Sequence, residues 1–468
     1  MNVTATDFHI QEFSRQHAPR SFGKWVHNHP AAVKVIRVAV ALFGMFAVAA
    51  AFWLHAPLAI ACTITGIAAL GAALTHYLFL RYGSGSHHDI RHHVYTPQEY
   101  PKSGQTIGKL FYRGHIPVLE IQTDKRFDAG EAHGFMLGPQ IHQLVSRFHF
   151  LAHTVMRKPG TPELPSILEE MKRVIPEDFQ QEMEGLAYGY NKWAEQAKIK
   201  HRLSLDDLIL IHCLPEKHHF QMQAAEEFYR TPAPLPAAAC TTILDEGVLA
   251  RNMDWYPFGI AGELSLVVVY KPEKLALIGV PGMIGPVSFF TPHMVGAMNV
   301  CPGSTTSVRG MPAIFYNRLI AERTTHVEQV SQITGKPLGP YHLSLADTAG
   351  GARTISFYQG PGNTDHTRFF EDRPVITLNW TEPDHQGNVF NSQQRDRILK
   401  AYYRGTTKGM DRTRLATGAL SLAPYVNSLI SLHTIVAEPQ KDRIWLAFDN
   451  GYSGSQEKQQ FSISSFFA

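Results

Sequence analysis

Strand–turn–strand patterns recur after residue 240 and limit the folds that this chain can adopt. Runs of apolar and β-branched residues are joined by short turns at Asp245–Gly247, Lys271–Lys274 and Ala349–Gly351. Such a series is typical of antiparallel hairpins. The segment before residue 240 has mainly helical patterns, as in residues 161–196. The sequence therefore predicts an α+β fold with a helix-rich first part and a second part built from hairpins.

Composition excludes several classes of protein. The chain has 468 residues, of which 44% are hydrophobic and 18% are charged, which suits a large core and not a disordered chain. The formal net charge is only +3. Neither a zinc-finger nor an RNA-binding signature is found, so we predict no nucleic-acid partner. The phosphate-binding fingerprints and the nucleophile-elbow motif are missing as well.

The four cysteines are Cys62, Cys213, Cys240 and Cys301. Their wide spacing shows neither a CxxC metal pair nor a disulfide framework. A reduced compartment is the simpler interpretation, although the number allows one or two bridges. The segment His212–His219 contains metal-capable residues, but their irregular spacing fits no common zinc site.

Two uncharged apolar runs, Val38–Leu54 and Leu58–Leu80, lie near the N-terminus. Each approaches the ~20 residues that a membrane-spanning helix needs, and Pro57 argues against one continuous helix. Residues 34–82 are therefore predicted to form a transmembrane helical hairpin. A buried helical pair is the alternative, but soluble helices usually keep a polar stripe.

The predicted hairpin divides the chain into regions and suggests a location. Residues 1–33 are predicted to be a polar cytoplasmic tail, 83–105 a juxtamembrane linker and 106–468 a globular domain. Lys and Arg residues flank the hairpin on both sides. Because positive flanks stay in the cytoplasm, we expect a multi-pass membrane protein with a cytoplasmic catalytic domain. If only one run spans the bilayer, that domain lies on the other side.

The stretch PLPAAACTTILDEGVLARNMDW places Cys240 between a flexible segment and a strand. A thiol nucleophile needs a base, and the α-amine of an N-terminal cysteine has a pKa of about 7.7–8.0. N-terminal nucleophiles are a known variant of the catalytic triad. Cleavage between Ala239 and Cys240 would free that amine. Arg251 and Asp254 follow at hairpin distance, where a carboxylate can hold the α-ammonium and a guanidinium can orient the carboxylate.

The segment CTTILDEGVLARNMDW resembles the nucleophile strand pair of the N-terminal-nucleophile (Ntn) amide hydrolases. This family includes proteins similar to acid ceramidase, N-acylethanolamine acid amidase, choloylglycine hydrolase and penicillin acylase. Its pattern is Cys-Thr-(Ser/Thr), a turn, then Arg-Asn-x-Asp-(Phe/Trp). Further stretches resemble the family in the same order over roughly residues 106–468, with gaps, namely YRGHIPVLEI, GEAHGFMLGPQI, MEGLAYGYN, LSLADTAGG, VITLNW, SQQRDRI and TIVAEPQKDRIWLAF.

The resemblance implies an αββα sandwich and a role for each matched residue. Cys240 would be the nucleophile, and Asp254 would hold its α-amine, with Arg251 bracing the pocket. Asn379 would donate an amide N–H to the oxyanion, a contact worth about 2.7–4 kcal/mol. Arg395 would order the site, with Arg397 as a competing assignment. The resemblance implies neither a metal nor an organic cofactor.

The expected function is a membrane-anchored amidase. It would cleave a linear, non-peptide C–N amide bond of an N-acyl amine or lipid amide through an acyl-thioester. Leu378 replaces a common threonine, and VGAMNVCPGS lacks the usual Asn-Glu-x-Gly turn, so the acyl chain and the amine stay open, as does the oligomeric state. Two alternatives remain, an acyltransferase with the same acyl-enzyme and a silent relative that binds a lipid or a partner. The structural alternatives are that Cys240 is an ordinary buried strand residue and that Arg251 and Asp254 form an ion pair without a catalytic role.

Overall fold

The computed structural model describes part of the chain. The described residues are 94–145, 164–213, 238–255, 262, 264–301, 310–334, 337–338, 341–359, 365–370, 374–379, 392–406, 409–422, 425–428, 431–449 and 453–468.

These residues form two β-sheets, one of ten strands and one of six. The first contains, in spatial order, β1 (Gln98–Lys102), β2 (Gln105–Arg113), β3 (Ile116–Ile121), β6 (Leu266–Tyr270), β7 (Leu275–Gly279), β8 (Ser288–Phe290), β9 (Met294–Val300), β10 (Tyr341–Asp347), β11 (Ala352–Gln359) and β12 (Asp365–Phe370). The second contains β13 (Val375–Thr377), β4 (Ala238–Asp245), β5 (Val248–Trp255), β14 (Ser431–Glu438), β15 (Arg443–Phe448) and β16 (Gln459–Ser462). Neighbouring strands are antiparallel except β3 and β6, which are parallel.

Helices flank the sheets. The α-helices of the described ranges are α1 (Arg126–Met136), α2 (Leu164–Val174), α3 (Glu177–Gln196), α4 (Leu205–His212), α5 (Ala313–Arg323), α6 (Ser392–Thr406) and α7 (Arg412–Leu420). Short 3₁₀ turns occur at Val327–Gln332, Pro439–Lys441, Ser453–Ser455 and Ser464–Phe466.

The two sheets pack face to face over a shared apolar core. Val267 and Ala297 of the first sheet lie in one cluster with Leu249, Ile435 and Leu446 of the second. The opposite face of the first sheet packs against α1, α3 and α5, and α7 lies over β4, β5 and β14. Strands alternate their faces, so residues at odd positions of β5 point between the sheets and even ones point toward α7. The described chain is thus a mixed α/β body with two large, mutually packed sheets.

The transmembrane hairpin in the predicted fold class, and the membrane location predicted from it, must be corrected. No helix within the described ranges is both long and apolar enough to cross a membrane. The longest of them, α3, carries Glu177, Asp178, Glu182 and Lys192 and buries one face in the protein. The two-helix transmembrane hairpin is therefore not supported, and neither is the multi-pass membrane location with a cytoplasmic catalytic domain. Residues 34–82, on which both predictions rest, lie outside the described residues.

The first sheet begins earlier than the boundary predicted at residue 106. Residues 98–102 form β1 and pair with β2 through a two-residue turn at Ser103 and Gly104. Both turn residues have positive φ, 53° and 81° respectively, which matches the twist of a tight hairpin. Tyr100 anchors this hairpin, because it is buried and its hydroxyl donates to Glu131 at 2.6 Å.

Glycines let α1 and α3 pack backbone to backbone. A Cβ on Gly130 or Gly134 would lie 1.9 or 2.0 Å from a carbonyl oxygen of α3. A Cβ on Gly185 or Gly189 would lie 2.0 or 2.1 Å from a carbonyl oxygen of α1. The atoms in the way belong to the backbone, so no change of side-chain rotamer can relieve the contact. These glycines therefore set the spacing of the two helices.

We expect Gly134→Ala to lower the free energy of unfolding by about 1–3 kcal/mol, the usual cost of overpacking. Urea unfolding of the purified chain measures this. Gly405→Ala is the matched control, because its Cβ would meet nothing within 4 Å and alanine favours a helix. Equal stabilities of the two variants would contradict the prediction.

Candidate active site

A tight hairpin places Arg251 and Asp254 beside Cys240. β4 and β5 are joined at Glu246 and Gly247, which have φ values of 47° and 82°. The register pairs Cys240 with Met253 and Ala239 with Asp254. The strand–turn–strand pattern predicted from the sequence is therefore confirmed in this segment.

Arg251 lies against the thiol of Cys240. Its Nη2 donates to Cys240 Sγ at 3.4 Å and to the carbonyl of Met298 at 2.7 Å. Its Nη1 donates to the carbonyl of Val287 at 2.9 Å and also bonds Ser288 Oγ. Only 1% of Arg251 is exposed. Backbone carbonyls thus hold a buried cation next to the sulfur atom that would carry negative charge as a thiolate.

Three side chains hold the backbone of Cys240. Its N–H donates to Asn379 Oδ1 at 2.7 Å. Its carbonyl oxygen accepts from Arg395 Nη1 at 2.6 Å and from Asn299 Nδ2 at 3.1 Å. Asn379, Arg395 and Asn299 are all buried. The peptide groups on both sides of the Cys240 Cα are therefore fixed by polar side chains from other segments.

The orientation of the Asn379 amide follows from its neighbours. Oδ1 faces two donors, the N–H of Cys240 and Arg395 Nη2, which lies 2.9 Å away. Nδ2 donates one hydrogen to the carbonyl of Val300 at 2.7 Å. The oxyanion role that the resemblance assigns to Asn379 would thus fall to the second hydrogen of Nδ2.

The structure distinguishes Arg395 from Arg397. Arg395 is 1% exposed and also contacts Thr241 Oγ1 at 2.9 Å and Ser392 Oγ at 3.1 Å. Arg397 lies on the exposed side of α6. Of the two competing assignments, Arg395 is therefore the one that reaches Cys240.

Asp254 is a buried carboxyl group opposite the residue that precedes Cys240. Its Oδ1 accepts from Ser431 Oγ at 2.6 Å, while Oδ2 is buried without a hydrogen-bond partner among the described residues. Burial raises the pKa of Asp254 to about 7, although Arg395, Ser431 and Arg251 each pull it down. Asp254 can therefore exchange a proton near neutral pH, next to the Ala239–Cys240 bond.

Sequence reasoning missed Asn299 and His433. Asn299 Nδ2 also donates to the Thr377 carbonyl at 2.9 Å, and its Oδ1 accepts from Thr242 Oγ1 at 2.7 Å. His433 Nε2 lies 3.4 Å from Arg251 Nη1, and burial beside this cation holds the pKa of His433 well below its usual range. The only signal was a polar residue inside each apolar strand, in GAMNV and SLHTIV.

The other described cysteines and the metal-capable segment do not join this site chemically. Cys213 and Cys301 are buried and form no disulfide, and burial raises the pKa of the Cys301 thiol well above its usual range. Both ring nitrogens of His212 are hydrogen-bonded, to the Leu208 carbonyl at 2.6 Å and the Ile284 N–H at 2.9 Å. In the parts of the chain that the structure covers, no cluster of His, Cys, Asp or Glu is arranged to hold a metal. Cys62, Glu216, His218 and His219 lie outside those parts.

A comparison with protein-family models finds no match, and a comparison with curated proteins finds none either.

We expect Arg395→Met to lower the free energy of unfolding by on the order of 2 kcal/mol, because it leaves buried acceptors on Cys240 and Asn379 with fewer donors. Arg397→Met is the matched control and should change stability by less than about 0.5 kcal/mol, as exposed substitutions usually do. Urea unfolding of the two variants compares them. A similar loss in both would assign no special role to Arg395.

Proposed function

We propose that this protein is an amide hydrolase of the Ntn type with Cys240 as its N-terminal nucleophile. Its substrate would be the linear, non-peptide C–N amide of an N-acyl amine or a lipid amide. The chain would first cut itself between Ala239 and Cys240.

One observation carries the proposal, which is the convergence of buried polar groups on every reactive atom of Cys240. Arg251 contacts Sγ, Asn379 contacts the nitrogen, and Arg395 contacts the carbonyl oxygen. These side chains come from β5, from the segment after β13 and from α6. A plain core cysteine does not need such surroundings, whereas a nucleophile needs its charge, its nitrogen and its backbone held in place.

The geometry suggests how self-cleavage would proceed. The Cys240 sulfur attacks the carbonyl carbon of Ala239, and the bond from that carbon to the Cys240 nitrogen breaks, which leaves a thioester. The thiol proton passes to the departing nitrogen, whose positive charge in the intermediate the carboxylate of Asp254 can stabilise from across the hairpin. Water then hydrolyses the thioester, giving a carboxylic acid at Ala239 and a free α-amine on Cys240.

The same atoms would then act on the substrate. The free α-amine takes the thiol proton while sulfur attacks the amide carbon, and it returns the proton to the leaving amine. The resulting acyl-thioester is hydrolysed by water to a carboxylic acid and the free thiol. The nitrogen of Cys240 already bonds Asn379 Oδ1, a contact that the amine can keep. Arg251 lies beside the sulfur, where it can stabilise the thiolate in each step.

N-terminal sequencing and intact mass test the proposal directly. We expect wild-type protein to yield a fragment that begins Cys-Thr-Thr-Ile, and Cys240→Ala to stay one chain. Cys301→Ala is the matched control and should be cut like wild type, because it removes a buried thiol that the mechanism does not use. A wild-type chain that stays uncut from acidic to neutral pH would favour a silent binding protein. Release of the acyl group to an added amine instead of water would indicate an acyltransferase.

We expect the rate of self-cleavage to rise with pH through about 7, because Asp254 must be ionised to stabilise the positive charge on the departing nitrogen and its pKa is raised to about 7. Asp254→Asn should slow cleavage and remove this inflection. Ser431→Ala should move the inflection upward, since the Ser431 hydroxyl stabilises the carboxylate. The measurement is the cleavage rate against pH for purified precursor. An inflection that stays fixed in Ser431→Ala would trace it to a group other than Asp254.

A further inference from the structure

The connection between β7 and β8, residues 280–287, joins the helix layer to the thiol site. We infer that His212 is a positioning residue, which holds this connection so that Arg251 is kept against the sulfur of Cys240. The inference rests on the proposed function for the meaning of that contact, but its test needs no amidase activity.

His212 is built to hold a backbone N–H. Its Nε2 accepts from Ile284 N–H at 2.9 Å, and its Nδ1 bonds the Leu208 carbonyl at 2.6 Å. A carbonyl only accepts, so Nδ1 carries the hydrogen and Nε2 is the acceptor. The ring stacks on Phe315 with centroids 5.1 Å apart. Burial lowers the pKa of His212 to about 4, so the ring is neutral, as this pattern requires.

The helix that carries His212 is fixed at its other end. Ser204 and Asp207 form a capping box, in which Asp207 N–H donates to Ser204 Oγ at 3.2 Å and Ser204 N–H donates to Asp207 Oδ2 at 2.9 Å. Ser204 is the N-cap residue of α4, and serine is among the residues favoured at that position. His212 is the last residue of α4, so the cap and the histidine hold opposite ends of one short helix.

Other groups of the helix layer hold the same connection. His133 Nε2 accepts from Gly282 N–H at 3.1 Å. Arg318 donates to the Ile284 carbonyl at 2.6 Å, and Asn317 donates to the Pro286 carbonyl at 3.3 Å. The connection is therefore tied to the helices at residues 282, 284 and 286, immediately before the point at which it meets Arg251.

Val287, the last residue of the connection, contacts the arginine that lies against the thiol. The Val287 carbonyl accepts both Arg251 Nη1 at 2.9 Å and Met298 N–H at 2.9 Å. The other Arg251 nitrogen, Nη2, bridges the Met298 carbonyl and Cys240 Sγ. A shift of the Val287 carbonyl therefore displaces the guanidinium from the sulfur. A misplacement of 1 Å can lower a reaction rate by as much as ~100-fold.

The rate at which iodoacetamide alkylates Cys240 at fixed pH tests this inference. Mass spectrometry of the Cys240 peptide follows the reaction in protein as purified, cut or uncut. His212→Phe keeps the stacked ring but removes the acceptor. We expect alkylation to become roughly tenfold slower, within the cost of such a misplacement, and His212→Gln to restore it through its amide oxygen.

If His212 had only a structural role, His212→Phe would make alkylation of Cys240 faster instead of slower. Only 5% of Cys240 is exposed, so local loosening would let the reagent in and speed alkylation. Tyr190→Phe is the matched control, because it removes a buried hydroxyl of the same helix layer that bonds His142 instead, and its rate should not change. Faster or unchanged alkylation in His212→Phe, no restoration by Gln, or equal slowing in Tyr190→Phe would each overturn the inference.

His133→Phe keeps the inference testable if His212→Phe does not fold. It removes the acceptor for Gly282 from a different helix, α1, and should slow alkylation in the same direction. A failure of self-cleavage would not affect this comparison, since thiol reactivity is measured in either state. The two proposals can therefore fail separately.

Discussion

The rest of the site depends on the way in which both peptide groups of Cys240 are held inside the protein. The N–H donates to Asn379, and the carbonyl accepts from Arg395 and Asn299. A buried backbone group without a partner costs free energy comparable to a lost hydrogen bond. β4 therefore cannot shift in register without leaving several such groups unpaired. The position of the sulfur follows from this constraint and not from contacts of the sulfur itself.

The same region buries three charged side chains that form no close ion pairs with one another. Arg251 and Arg395 are each 1% exposed, and so is Asp254. Arg251 is satisfied mainly by carbonyls, and the raised pKa of Asp254 shows that the two cations only partly offset its desolvation. Burying charge in this way is costly and is a common property of functional sites. The arrangement is easier to explain as preparation for chemistry than as a source of stability.

Several features of the site could be predicted because they depend on local geometry or on a motif. The two-residue turn at Glu246 and Gly247 fixes which residues face Cys240 across the hairpin. Arg395 was named from a motif, but only burial separates it from Arg397. Asn299 could not be predicted, because it reaches Cys240 from the other sheet. β1 lies in the segment that the sequence assigns to a linker, because Ser103 and Gly104 signal a turn but not the strand that precedes it.

The sequence by itself determined the hairpins, the capped helix α4 and the pairing of Arg251 and Asp254 with the start of β4. These depend on alternation, turn residues and caps, which act over a few residues. Only the tertiary structure decided which buried polar groups meet. Asn299, His212 and the Val287 carbonyl reach the site across sheet and helix layers. Their positions are set by close packing, including the glycine contacts of α1 and α3, and no local pattern encodes such distances.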